Sequence, residues 1–441
     1  MKSIFYTLLL SALIFTNSSF AQVWSFAKGS DSIGLYIGYP EHVVAAGRQA
    51  VLWGDFKKSH MVYGSQDLGD YTMNELDTSG TVGASINING KLYLLDAQTD
   101  DSGNYYILGT YYDSVTFSTG FQSLRNPLPG NDPNYFLFRL DKGTLHLSWF
   151  KLIGVDYYST SSNFTIKNNA LYMFVDSGLV ADNLFKYDLS TGNHTRVLTQ
   201  SQDGMVTSIQ LDAKGNIYVA GGGTVLGPVN FNGHIDTPAS ALSYPTYIVR
   251  YKADGTFDWI QWMRDVTITP RKLTLSGNNQ LYYSGPVNDS FALAGITVHH
   301  AKWVFAFMVA MLDSTGDVKW LSQQDSKYLG DAGVNNEYHA SLLGDTSLCI
   351  AAFTRDTIDW GNGVTSITNN NGNMTVVNFA STGLVNWTKS PLALASTCNH
   401  IASDGYNVWV TGNGYDSTQL VFGSNHIISQ LYGSTPFIAK L

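Results

Sequence analysis

The chain is poor in cysteine, in charge and in long apolar segments. It has 2 cysteines in 441 residues, so no disulfide framework holds it together and it must bury a sizeable apolar core. Charged residues make up only 13%, with 25 basic against 34 acidic side chains. A surface of that sign, without a basic cluster, repels nucleic acid and anionic lipid. We therefore predict neither as a partner.

One apolar run lies at the N-terminus. Lys2 precedes a stretch from Ile4 to Phe15, and the small residues Ser19 and Ala21 come just before Gln22. The run is shorter than the roughly 20 residues that cross a bilayer. We predict a cleaved signal peptide at 1–21 and a mature chain that is secreted, periplasmic or on the cell surface, with no integral membrane segment.

The two cysteines have two interpretations. Cys349 lies in the run LCIAAF, at a strand position that is apolar in related segments. That placement favours buried thiols at Cys349 and Cys398. A single disulfide between them after export stays open.

Aromatic residues and glycine are abundant, at 13% of the chain and 42 residues respectively. They belong to a repeated unit: an apolar strand, a Gly/Asn turn, a strand ending in small residues, a long loop, a third strand, and a D-x-x-G-like turn leading to Trp. The clearest copy is SIQLDAKGNIYVAGG (Ser208–Gly222) with YIVRYKADGTFDWI (Tyr247–Ile260). Other copies include Ala97–Thr110, Tyr135–Phe150, Leu273–Gly285, Phe307–Leu321, Ala340–Ala352, Met374–Thr388 and Ile401–Gly412, with weaker ones at His42–Phe56 and Phe164–Val175.

Seven units are present, and the last lacks one strand. Its final strand is PFIAKL (Pro436–Leu441), and the missing partner is VWSFAK (Val23–Lys28) at the mature N-terminus. Pairing the two ends closes a ring. We predict an all-β, seven-bladed β-propeller of four-stranded blades, forming a single domain over 22–441 and a monomer.

A short aromatic element follows the second strand in several units. Its aromatic residues are Phe117, Phe231, Trp360 and Phe422. An aromatic residue repeated at one place is best explained by packing between neighbouring sheets.

The unit resembles that of bacterial secreted β-propeller repeat (SBBP-type) proteins. The matching segments are LDAKGNIYVAGG, VNFNG and FIAKL, and the first and third units follow the pattern least. The resemblance implies a propeller fold and export, but it carries no set of functional residues.

The loops between second and third strands are long. They are Ser118–Asn134, Asn232–Pro245, Gly361–Asn373 and Gly423–Thr435. In a propeller these loops share one face with the start of each first strand, whereas the other face has tight turns. Long variable loops more often carry binding functions than tight turns do.

Alignment of the seven first strands places one polar residue of each at the mouth of the central channel. These residues are His42, Asp96, Asn163, Ser208, Lys272, His339 and His400. They are either side chains solvated by a wet channel or a site that converges on a ligand. Both interpretations stay open.

Three of these residues are histidines in consecutive units once the ring closes. If His42, His339 and His400 met at one point, they could bind a divalent metal. We predict no cofactor, with this metal site as the alternative.

The leading hypothesis is a secreted or cell-surface binding module for a protein or glycan ligand that docks on the long-loop face. The alternative is a lyase or hydrolase, with one of the three histidines as general base and Lys272 as charge stabiliser. A purely structural part of a surface assembly is the third hypothesis. The fold alone does not decide between them.

Overall fold

The computed structural model describes residues 24–29, 43–46, 50–56, 61–63, 66–118, 124–125, 134–154, 164–176, 181–201, 205–222, 227–238, 244–265, 272–288, 291–298, 305–325, 334–355, 357–368, 371–393, 395–415, 419–428 and 434–441. Every helix or strand element in these residues is a strand. The strands form a seven-bladed β-propeller of four-stranded antiparallel blades, as predicted.

The strands of the first half fall into three blades, after β1 (Phe26–Gly29), which belongs to blade 7. Blade 1 contains β2 (Val43–Ala46), β3 (Ala50–Phe56), β4 (Met61–Tyr63), β5 (Gln66–Leu76) and the start of β6 (Val82–Thr99). Blade 2 contains the rest of β6, β7 (Tyr105–Phe117), β8 (Leu124–Arg125), β9 (Asn134–Leu140) and β10 (Leu147–Gly154). Blade 3 contains β11 (Phe164–Lys167), β12 (Ala170–Asp176), β13 (Ala181–Asp188) and β14 (His194–Ser201).

The remaining blades each add a two-stranded hairpin between their second and third strands. Blade 4 contains β15 (Met205–Leu211), β16 (Ile217–Gly222), β17 (Val229–Phe231), β18 (His234–Asp236), β19 (Tyr244–Tyr251) and β20 (Phe257–Asp265). Blade 5 contains β21 (Lys272–Leu275), β22 (Leu281–Asn288), β23 (Phe291–Leu293), β24 (Ile296–Val298), β25 (Phe305–Leu312) and β26 (Val318–Asp325). Blade 6 contains β27 (Val334–Leu343), β28 (Ser347–Thr354), β29 (Thr357–Asp359), β30 (Thr365–Ile367), β31 (Asn373–Phe379) and β32 (Val385–Lys389). Blade 7 contains β33 (Ala395–Ser403), β34 (Val408–Tyr415), β35 (Gln419–Phe422), β36 (Asn425–Ile428), β37 (Ser434–Lys440) and β1.

The tight turns are held by local side-chain chemistry. Oδ1 of Asp212 accepts hydrogen bonds from the backbone N–H groups of Lys214 and Asn216, both at 2.9 Å. Gly215 between them has a φ of +84°, which glycine adopts without steric cost. An aspartate followed by glycine therefore reverses the chain between the first two strands of blade 4.

Tryptophan in the fourth strand fastens each of three blades to the next one. Its indole N–H donates to a backbone carbonyl in the turn between the third and fourth strands of the following blade. The pairs are Trp149 with Leu189, Trp259 with Ser314 and Trp320 with Ser381, at 2.9, 3.1 and 2.7 Å. A Cβ added to Gly383 in that turn would lie 2.7 Å from the Trp320 ring. The Trp of one repeat unit and the glycine-containing turn of the next unit therefore form one contact between blades.

The ring closes through the N-terminal strand, as predicted. β1 pairs antiparallel with β37, with Phe26 opposite Lys440. The Phe26 ring packs where a Cβ of Gly80, in the blade 1 turn, would lie. The ammonium group of Lys440 donates to the Thr78 carbonyl in the same turn at 2.6 Å. At the junction between blades 7 and 1, Phe26 thus occupies the position that tryptophan occupies at other junctions between blades.

The hairpins between second and third strands pack against the preceding blade. β17 pairs with β14 of blade 3, where Phe231 lies opposite Gln200. In blade 2 the end of β7 pairs with β6, with Phe117 opposite Ile88. The aromatic residues of this element are buried, which confirms their role between sheets: Phe117, Phe231, Trp360 and Phe422. Part of each long loop therefore forms contacts between blades, and residues 119–123, 126–133, 239–243, 369–370 and 429–433 lie outside the described ones.

Both cysteines are free and buried, which confirms their interpretation as buried thiols. Cys349 and Cys398 belong to one apolar cluster between blades 6 and 7. Burial raises the pKa of the Cys349 thiol to about 12, although Asn378 Nδ2 donates to its sulfur at 3.2 Å. The thiol is therefore inert near neutral pH.

In the part of the chain that the structure describes, no helix is long and apolar enough to cross a membrane.

Candidate binding site in the central channel

The first strands of blades 2 to 7 enclose a central cavity of about 500 Å³. They are β6, β11, β15, β21, β27 and β33. Cavities of this size suit small-molecule ligands or the end of a larger one. Its wall mixes apolar residues with polar and charged side chains.

Four of the seven predicted mouth residues line this cavity: Asp96, Ser208, Lys272 and His400. His339 lies beside them, with its ring centroid 4.9 Å from that of His400. His42 and Asn163 lie outside the described residues. The structure thus has four of the predicted residues in one cavity wall and places His339 against His400.

A β-bulge precedes three of these positions. The register shifts between Leu94 and Asp96 in blade 2, and at the equivalent places before Ser208 and His400 in blades 4 and 7. A bulge inserts one residue into a strand and re-aims the side chains that follow it. The direction of the side chains at these three positions thus depends on the bulges in the first strands.

Glycines within two of the second strands lie opposite these bulges. Gly109 pairs with Leu94, and Gly412 pairs with Cys398. A Cβ at Gly109 would lie 2.7 Å from the Tyr93 carbonyl oxygen, and one at Gly412 would meet the Thr397 carbonyl. Glycine is therefore required by the close approach of the bulged strand.

Asp96 is held by two neighbouring strands. The Ala97 N–H donates to its Oδ1 at 2.8 Å, and the Phe164 N–H of blade 3 donates to its Oδ2 at 3.5 Å. Burial nevertheless raises the pKa of Asp96 to about 7, a rise opposed by the positive charge of Lys272 and by these hydrogen bonds. The carboxyl group therefore titrates close to neutral pH.

Lys272 lies across the cavity, in blade 5. Burial lowers the pKa of its ammonium group, whereas the negative charge of Asp96 opposes that change. Its backbone N–H donates to the Tyr338 hydroxyl of blade 6 at 3.0 Å. The strand that carries the ammonium group is thereby fixed to the next blade.

Ser208 has a structural role in addition to lining the cavity. It is 5% exposed, and its Oγ accepts a hydrogen bond from the Leu273 N–H of blade 5 at 3.1 Å. Repeat alignment identifies its position but not this bond between blades.

His339 and His400 are adjacent, as the metal hypothesis requires. Among the described residues, however, no three His, Cys, Asp or Glu side chains converge as a metal site would need. The third predicted ligand, His42, precedes Val43, where β2 begins beside β33 of blade 7. A site formed by His42, His339 and His400 stays a prediction.

Gln98 is a polar channel residue that the repeat alignment missed. Its Nε2 donates to the Phe164 carbonyl, and its Oε1 accepts from the Ile166 N–H at 3.3 Å. Its side chain also favours the ionised form of Asp96 and so opposes the rise of the pKa of that carboxyl. Because residues two apart share a face of a strand, the spacing from Asp96 could have identified it.

No known protein family and no curated protein matches the chain. Among solved structures, a protein of unknown function from Dyadobacter fermentans DSM 18053 is 10% identical, with a TM-score of 0.36, over 94% of this chain and 98% of that one. Prolyl oligopeptidase B from Galerina marginata is 8% identical, with a TM-score of 0.43, over 90% of this chain and 51% of that one. A chain of the mitotic checkpoint complex is 9% identical, with a TM-score of 0.39, over 88% of each chain.

Similarities this low carry no argument, and the fold assignment rests on the strand pairing of the chain itself. A β-propeller supports either an interaction module or an enzyme.

Proposed function

We propose that this chain is a secreted or cell-surface binding module, of the bacterial secreted propeller-repeat type, that takes the polar end of a protein or glycan ligand into its central channel. One observation carries the proposal: a cavity of about 500 Å³ has Asp96, Ser208, Lys272 and His400, from four different blades, in its wall. Hydrogen-bonding and charged groups that converge on one cavity give orientation and specificity to a bound ligand.

A binding screen of the mature protein on glycan and peptide arrays tests this function. Lys272→Met removes the channel ammonium group, and Lys319→Met removes a matched lysine of the same blade that is exposed and pairs with Asp313 at 2.7 Å. We expect binding to be weakened in the first variant and unchanged in the second. Binding that Lys272→Met leaves at the wild-type strength would contradict the channel as the site.

A second candidate function is catalytic. A carboxyl group with a pKa of about 7 can give and take a proton at neutral pH, and Asp96 has this property. Asp96 would act as general acid or base in the cavity that His400 also lines, with Lys272 stabilising negative charge. A screen for lyase and hydrolase activity tests it, because Asp96→Asn should abolish any turnover while Lys319→Met leaves it unchanged.

A further inference from the structure

Two opposite charges line the cavity without forming an ion pair. Asp96 is in blade 2 and Lys272 is in blade 5, on opposite sides of the ring. Among the described residues, neither has an ion-pair partner within 4.0 Å, and no side-chain hydrogen bond is made by the Lys272 ammonium group. The two groups are still near enough to stabilise one another's charge.

A charge in the wall of a cavity is costly when no countercharge contacts it, and among the described residues none contacts either group, so the arrangement favours a ligand that supplies both countercharges. One ligand carboxylate would pair with Lys272, and one ligand ammonium group would pair with Asp96. The remaining wall is mostly neutral, since Lys167 lies at the far end of β11 and is exposed.

Asp96 is already oriented for such a ligand. Its two oxygens accept hydrogen bonds from the backbone of β6 and β11, at 2.8 and 3.5 Å. Backbone donors from two blades hold the carboxylate in place before a ligand arrives, which lowers the entropic cost of binding. The β-bulge before Asp96 sets its direction.

Resting on the proposed function, we infer that the channel ligand is a zwitterion: an amino acid or a short peptide whose free ammonium group binds Asp96 and whose free carboxylate binds Lys272. Neutral glycans supply neither charge.

Calorimetric titration at pH 8 with alanine, Ala-Ala and Ala-Ala-Ala tests this, alongside the N-acetylated and C-amidated form of each. We expect at least one free form to bind, and each blocking group to weaken its binding by about 10-fold or more, because each removes one charge pair. These comparisons use the wild-type protein, so they do not depend on a variant that folds.

The variants assign each contact. Asp96→Asn should remove the preference for a free over an acetylated amine, and Lys272→Met should remove the preference for a carboxylate over an amide. Lys319→Met should change neither preference.

Equal binding of free and blocked peptides overturns the inference. The absence of any peptide binding also overturns it, because water alone would then solvate Asp96 and Lys272. If no peptide binds but a neutral glycan binds in a way that Lys272→Met abolishes, the zwitterion is wrong and the proposed function stands. If neither class binds, both fail.

Discussion

Asp96→Asn should stabilise the protein at alkaline pH and change it little at acidic pH. Burial raises the pKa of this carboxyl from 3.8 to about 7. Between these values the folded state holds a proton that the unfolded state has lost. The contribution of Asp96 to stability is therefore fully present below pH 4 and is lost as the pH rises to 7.

The size of the effect follows from the shift. At about 1.36 kcal/mol per pKa unit, a rise of three units corresponds to an upper limit of about 4 kcal/mol. Asp96 keeps some contact with water in the channel, which screens its charge. We expect the free energy of unfolding of Asp96→Asn, relative to that of the wild type, to rise by about 1–3 kcal/mol between pH 4 and pH 8.

Urea unfolding of both proteins from pH 4 to pH 8.5 measures this change. Subtracting one curve of stability against pH from the other removes the contribution of all other titrating groups. Asp101→Asn, at an exposed turn of the same blade, is the control variant. Lys272→Met should move the change to higher pH, because its ammonium group favours ionised Asp96. A stability difference for Asp96→Asn that does not vary with pH would refute the reasoning.

Three further results are expected. Gly383→Ala places a Cβ against Trp320 and should lower the free energy of unfolding by about 2–4 kcal/mol. Gly361→Ala has a similar positive φ but open space around it, and it should lower the free energy of unfolding by only about 1 kcal/mol. Equal losses in urea unfolding would contradict the contact between the blades. Phe26→Ala should cost about 2–4 kcal/mol and speed amide hydrogen exchange in β1 and β37; unchanged exchange there would argue against closure through this ring. Cys349 should resist thiol reagents at pH 8 until the protein is denatured, because its pKa is about 12; rapid native labelling would exclude a buried thiol.

The sequence predicts the blades because their turns carry local chemistry. Asp212 and Gly215 specify a tight turn whatever surrounds them, and the pattern recurs in unit after unit. The contacts between units are not local. That Trp320 donates to Ser381 depends on how one blade stacks on the next, which strand periodicity does not encode.

The site is predictable in position but not in detail. Repeat alignment finds Asp96 and Lys272 at equivalent places in two units, and the structure has both in one cavity wall. It does not reveal that Ser208 bonds a neighbouring blade, nor that a bulge re-aims Asp96, because a bulge arises from the pairing of two strands. The burial of a charged side chain in the channel likewise depends on how all the blades pack around it.

Pairing of β1 with β37 also sets the order of events during biosynthesis. Ser25 and Lys440, which hydrogen-bond in the closed ring, are 415 positions apart. The ribosome makes β1 first, so this strand must stay without its partner until nearly all of the chain has followed. Until β37 has been made, the nascent chain therefore presents an exposed strand edge that chaperones can bind or that can promote aggregation.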